Sequence, residues 1–367
     1  MSCLGKLSLP IATLSVAAVF AGHDMDSRVR ELEKEMKEVR TGNPAKSFGA
    51  NTAPARAEVN GTDFFISFDV LYWQAKLGGT EYCYTNGNSG IVMPERGSVH
   101  DANPEWDWGF RVGAGYNFEH GQWDIYANYT YFSSNHHTLK AGAPTGSVMP
   151  LKGGSAVHNY TSAAKASSQV NLSFDRIDLE LGRDFFVAEY LSFRPHFGLM
   201  TAWIDAKQST RYSGGDNLGY NYVYVKDIND FWGIGPRAGV NSKWHLDNGF
   251  SIFGNAATAL TYGNFNVHHK ENYSVNSSTN TIHLNGGFHR FVPTTQLQLG
   301  FAYDQYVADD KQHISLSLGW DIQYWWNVNQ SLNTVHTGLN ADHGPTYERA
   351  SEDLSLQGIT LHFMWCF

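Results

Sequence analysis

Residues 355–367 read Ser-Leu-Gln-Gly-Ile-Thr-Leu-His-Phe-Met-Trp-Cys-Phe. Ile359, Leu361, Phe363, Trp365 and Phe367 fall on one side of an extended chain, and Thr360, His362, Met364 and Cys366 on the other. A strand that is apolar on one face and ends on an aromatic residue has the pattern of the closing strand of an outer-membrane β-barrel. The constraint is severe, because hydrocarbon cannot satisfy backbone N–H and C=O groups. Only helices, or a sheet closed on itself, can span it.

The rest of the chain repeats this pattern. Trp108, Phe110, Val112, Ala114, Tyr116 and Phe118 alternate with Asp107, Gly109, Arg111, Gly113, Gly115 and Asn117. After the turn at 119–121, Trp123, Ile125, Ala127, Tyr129 and Tyr131 alternate with Asp124, Tyr126, Asn128 and Thr130, which predicts a hairpin. Equivalent couplets occur around residues 177–203, 232–262 and 297–324. With 63–75 and the last strand, the pattern predicts an all-β, antiparallel, up-and-down transmembrane barrel of about ten strands, within a range of 10–14 set by spare alternation near Tyr222 and Ile282. Turns near 119–121, 185–190, 244–249 and 305–311 are short. Segments near 76–106, 134–169, 205–229, 264–287 and 327–353 are polar and read as long external loops.

Composition agrees. Aromatic residues are 14% and charged residues 17% of the chain, yet no apolar run is long enough for a transmembrane helix. The net charge of −9 argues against nucleic-acid binding, which needs a basic surface.

The amino terminus has its own organisation. Lys6, the apolar stretch Leu7–Phe20 and the small residue Ala21 predict a signal peptide over 1–21. Residues 22–40 form an amphipathic segment with Val29, Leu32, Met36 and Val39 spaced for a short helix. It reads either as a solvated marginal helix or as a periplasmic oligomerisation helix that would make a homo-oligomer through residues 24–40. Residues 41–61 are a Gly, Asn, Pro and Ala-rich linker, and 62–367 the barrel. Cys83 and Cys366 belong to no CxxC motif. Two ordinary thiols or an intermolecular cross-link both fit, and barrel geometry sets them too far apart to pair with each other.

If the aromatic faces meet lipid, the other faces line the interior. That puts Arg111, Arg194, Arg237, Asp124, Asp178, Glu180 and Asp321 inside, as pore-lining candidates. They read either as a charged constriction passing small polar solutes, or as charges that pair across a narrow lumen. Inward glycines such as Gly113 and Gly233 relieve crowding. His136-His137 and His268-His269 read as exposed loop residues, since adjacent side chains on extended backbone point apart and chelate poorly. Neither G-x-S-x-G nor H-E-x-x-H occurs, so no catalytic residue, cofactor or metal site is predicted.

The blocks Phe64–Trp73, Trp106–Tyr116, Ile177–Arg183 and Phe231–Gly239, containing LYW, WDWGFRVGAGY and WGIGPRAG, resemble the Legionella-type major outer membrane protein family, which also has members in chlamydia-related bacteria. The match runs in order over most of 63–367. The resemblance implies a pore-forming barrel in the bacterial outer membrane, inserted by the barrel-assembly machinery. In the closing strand Leu356 stands where the usual pattern has a polar residue. A non-conducting structural or adhesin-like barrel is the alternative function.

Overall fold

The computed structural model describes residue 55 and residues 63–86, 97–118, 122–141, 148–153, 162–214, 222–246, 248–275, 278–307, 311–335 and 346–367. The predicted signal peptide, the amphipathic helix and nearly all of the linker lie outside the described residues.

The strands in chain order are β1 (Phe64–Leu77), β2 (Glu81–Asn86), β3 (Gly97–Asp101), β4 (Trp106–Asn117), β5 (Trp123–Ala141), β6 (Val148–Pro150), β7 (Lys165–Arg183) and β8 (Phe185–Ala188). They continue with β9 (Leu191–Ser213), β10 (Tyr222–His245), β11 (Phe250–Val275), β12 (Ser278–Val307), β13 (Gln312–Asn329), β14 (Leu332–Val335), β15 (Thr346–Arg349) and β16 (Glu352–Cys366).

Ten of them close a ring in the order β1-β4-β5-β7-β9-β10-β11-β12-β13-β16, and β16 pairs with β1 to complete it. Every pairing in the ring is antiparallel. The expected fold class and count of ten are therefore observed. Following partners from Gly233 through Ala202, Arg176, Thr130, Arg111, Asp69, His362, Ser317, Ala302 and Ser251 returns to β10 at His245, a displacement of twelve residues, 245 minus 233. For ten strands this stagger tilts each strand by roughly 40° and gives a mean backbone radius of about 10 Å. A ring that narrow can be filled by its own side chains.

The outward face is apolar over a band bounded by aromatic residues. On β16 it runs from Ile359 to Phe367, and on β9 from Leu191 to Trp203. Tyr72, Trp108, Trp232, Tyr262 and Phe291 mark the outer edge, and Phe64, Tyr116, Trp244, Phe250 and Tyr303 the inner one. Two such girdles flanking a lipid-facing band are what a membrane interface selects. The periplasmic turns are tight. In the β10–β11 turn, Asn248 (φ 59°) and Gly249 (φ 81°) take the left-handed pair that suits a hairpin. A Cβ on Gly249 would stand 2.4 Å from the Asp304 carbonyl, so only glycine fits there.

The external connections differ from the loops read in the sequence. Residues 264–275 and 278–287 continue β11 and β12 as a tall hairpin, and most of 205–229 extends β9 and β10. Consequently His136 and His137 lie on β5, and His268 and His269 on β11. The error has a physical cause. Above the membrane the outward positions turn polar while the inward ones mix apolar with polar residues, so the lipid-facing rhythm is lost and Asn, Ser and His mimic loop composition.

The described parts of the remaining connections pack against the inner wall. Strands β2, β3 and β6 make a small sheet of order β3-β2-β6. Its Tyr82 and Cys83 pack with Ala166, Val170, Tyr212, Val223 and Val225 from the inner faces of β7, β9 and β10. Strands β14 and β15 form a second hairpin. Leu332, at its start, joins the apolar cluster inside the barrel, and Arg349 lies 3.9 Å over the Phe288 ring.

Candidate functional site: the filled lumen

The interior has three tiers, fixed by the register of inward residues. The lowest of the three, on the periplasmic side of the others, is charged. Arg111 on β4 reaches Asp69 on β1 (2.9 Å), Asp321 on β13 (3.4 Å) and the Thr130 hydroxyl on β5 (3.0 Å). Arg194 on β9 forks onto Asp124 on β5 (2.5 and 2.9 Å) and onto Glu180 on β7 (3.2 Å). Arg237 on β10 meets Glu180 (3.3 Å) and donates to Gln296 on β12 (3.0 Å). Gln296 in turn donates to Asp321 at 3.2 Å, closing the circuit.

All seven pore-lining candidates thus point inward, and the barrel brings them together in one network. Sequence reasoning missed several members, Thr130 and Gln296 among them. Arg176 pairs with Asp178 (3.0 Å) and donates to Gln323 (2.8 Å). Asp69 accepts from Arg111 and contacts His362 at 2.5 Å. The signal was present: Arg176 sits two residues from Asp178 on the same face, and Asp69 alternates with Phe68 and Val70.

These charges are out of water. Asp178 is 0%, Asp321 1% and Arg176 2% exposed. Taking an ion from water into a low dielectric costs several kcal/mol, offset only where partners meet it with good geometry. Four arginines against five carboxylates, with His196 and His362 beside the acids, supply that pairing.

The next tier outward is apolar. Leu71, Trp73, Phe132, Leu172, Phe174, Ile204, Phe231, Phe265, Val292 and Trp325 form one buried cluster on the inner wall. Phe174 on β7 and Trp325 on β13 stand five strands apart in either direction round the ring, yet their rings meet edge to face at 5.5 Å. The Arg176–Gln323 bond below joins the same opposite strands. Side chains therefore bridge the full width of the barrel at two levels. Glycines make room for this packing: Phe231 lies over Gly233 and Gly263, where added Cβ atoms would come within 2.6 and 2.4 Å of its ring. Inward glycines thus seat aromatic rings, a more specific role than relief of crowding.

The third tier lies beyond the outer girdle, where the small β3-β2-β6 sheet meets the wall. Lys152, just past β6, donates to Asp227 on β10 (3.2 Å) and to the Gly79 carbonyl (3.0 Å). His269 on β11 contacts Asp227 at 2.5 Å through Nδ1 and Glu271 at 2.9 Å through Nε2. Gln208 donates to the Thr80 carbonyl at 2.8 Å. Burial disfavours the imidazolium, but its hydrogen bonds to two carboxylates outweigh that and raise His269 to about 9. A raised folded-state value means that His269 contributes stability fully below the ordinary histidine range, near 6.5, and loses it as pH climbs through about 9. We expect the segment around Lys152 to exchange amide hydrogens faster at pH 9.5 than at pH 7 after correction for intrinsic exchange. His269→Gln should abolish that pH dependence; an unchanged dependence would remove the imidazolium from the latch.

Cys83 is buried in the small sheet, where burial pushes its thiol to about 11, and Cys366 is buried at the opposite end of the barrel. The two are not bonded to each other. Among the described residues no cluster of His, Cys, Asp and Glu has the arrangement of a metal site.

Comparison with solved structures returns outer-membrane barrels at low similarity. The translocator domain of autotransporter NalP from Neisseria meningitidis is 10% identical, with 94% of this chain and 98% of that one covered at a TM-score of 0.29. The Yersinia pestis attachment invasion locus protein Ail is 13% identical, covering 62% and 99% at 0.20. The toluene transporter TodX of Pseudomonas putida is 6% identical, covering 84% and 92% at 0.22. No curated protein sequence matches the chain. A family profile described as Legionella pneumophila major outer membrane protein precursor matches residues 58–367. The chain belongs to that family, and its place is the bacterial outer membrane.

Proposed function

We propose that the protein is an outer-membrane barrel sealed at rest, acting as a structural and surface-presenting element of the membrane. The observation that carries this reading is the contact of Phe174 and Trp325 on the barrel axis, above a charge network that spans the same opposite strands. A water-filled channel needs polar walls with room between them. Here an apolar tier, bridged side to side by Phe174 and Trp325, lies just outward of the charged one.

A second reading keeps the passage of small polar solutes that the resemblance implies. It is supported by the charged tier, whose arginines and carboxylates would give an opened lumen ion selectivity. It is also supported by the origin of the outer cover, because β2, β3, β6, β14 and β15 all belong to interstrand connections rather than to the ring. In this reading the barrel conducts only when those segments swing outward.

Planar-bilayer recording of the refolded full chain separates the two. The sealed barrel gives no steady current at low voltage. Persistent current steps from unmodified protein would overturn the sealed reading. Brief openings that lengthen when Lys152→Met releases the Asp227 latch would favour the gated one.

A further inference from the structure

The outward face of the tall wall above the membrane carries a set of cations for which neither reading of the lumen has a use. Register puts Lys207 of β9, Arg211 of β9, Lys226 of β10 and Lys270 of β11 on this face. Lys226 and Lys270 are direct cross-strand partners, with His283 of β12 next in the same row. Like charges directly opposite destabilise a strand pair, so the row has a standing electrostatic cost without a counter-charge. The protein supplies none: among the described residues Lys207, Lys226 and Lys270 make no ion pair. Two acids on this face, Asp205 and Asp230, sit as a cross-strand pair below the cations, next to the girdle residues Trp203 and Trp232, with Asp175 beside Trp203. A basic facet on a chain of net charge −9 is a local departure from the whole.

Height and direction identify what meets this facet. The residues project sideways from the wall, into the layer that surrounds the barrel just outside the bilayer. Lys207 is four residues beyond Trp203, Lys226 six beyond Trp232 and Lys270 eight beyond Tyr262. At about 2.5 Å of axial rise per residue in a strand tilted by roughly 40°, the cations stand about 10 to 20 Å above the girdle. An ordinary phospholipid headgroup fills only some 5–7 Å per leaflet, too little to reach most of them.

We infer that the outward facet formed by Lys207, Arg211, Lys226 and Lys270 binds the anionic saccharide headgroup of an outer-leaflet glycolipid. The lysines act as point charges on its phosphate or carboxylate groups. Arg211, held 5.3 Å from the Tyr222 ring centroid, presents a guanidinium beside an aromatic face suited to a sugar ring. The Asp205–Asp230 pair repels these anions from the girdle and confines them to the height of the lysines.

Native mass spectrometry of the refolded full chain in detergent tests this, with a readout independent of conductance. The probes are lipopolysaccharide truncated to its phosphorylated core, lipid A lacking the core saccharide, and phosphatidic acid. We expect retention of the core-bearing lipid at least fivefold above the other two. The triple variant K207Q/K226Q/K270Q should erase that preference, and K207R/K226R/K270R should keep it. Because these side chains face outward without protein partners, heat-modifiable gel migration should stay that of the folded barrel. Equal retention of all three lipids by the unmodified protein, or an undiminished preference in the glutamine variant, would overturn the inference. Displacement of the lipid by equimolar free core saccharide or by heparin would point to a soluble anion and overturn the lipid assignment.

Discussion

Arg111→Ala should destabilise the barrel by about 3–5 kcal/mol, the usual cost of stripping one partner from a buried ion pair. Arg111 is the one cation on both Asp69 and Asp321, and those carboxylates are 2% and 1% exposed. Its loss would leave Asp69 with His362, and Asp321 with Gln296 alone among its hydrogen-bond partners. The measurement is the urea midpoint of the shift from folded to unfolded gel mobility in the refolded protein. A control separates charge from packing. Adding D69N and D321N to an Arg111→Met chain removes the stranded charges and should recover much of the loss. If the single alanine variant unfolds at the midpoint of the unmodified protein, the network contributes nothing and the charges are solvated in the membrane.

The second large effect concerns the seal. Phe174→Ala with Trp325→Ala removes the two rings that meet on the axis. Truncating a buried aromatic residue costs about 3–5 kcal/mol, and two that touch each other lose less than the sum because they share one contact. We expect a folded but weakened barrel with current steps absent from the unmodified protein. Ion selectivity should be set by the exposed charged tier, so adding Arg237→Ala should shift the reversal potential. A folded double variant that stays electrically silent would place the barrier in the inward-folded β2–β3–β6 and β14–β15 segments instead.

The lipid-facing half of this fold was legible because its physics is periodic. Each strand repeats an apolar residue at every second position between two girdles, so Ile359–Phe367 and Trp108–Tyr116 declare both their conformation and their orientation. The interior was legible only as a list. Alternation tells which residues turn inward, hence all seven candidates, but not which strands lie opposite one another. Arg176 and Gln323 are 147 residues apart and become partners only once ring order and a twelve-residue stagger are known. The same holds for Phe174 and Trp325. The latch at His269 was hidden for a different reason. His268-His269 resembles a polar loop, and the burial of one neighbour but not the other follows from the strand continuing past the membrane.

The seam where β16 lies between β13 and β1 has a kinetic consequence. Its register joins Phe65 to Cys366 and His313 to Cys366, so the final strand supplies both missing edges at once. Until it arrives, β1 and β13 each expose a row of unpaired amides and carbonyls, the template on which chains aggregate. Bringing residues some three hundred positions apart into register is also a slow, entropically costly closure. Assembly is therefore governed by the last strand, and a chaperone that shields those two edges would determine how much protein reaches its folded state.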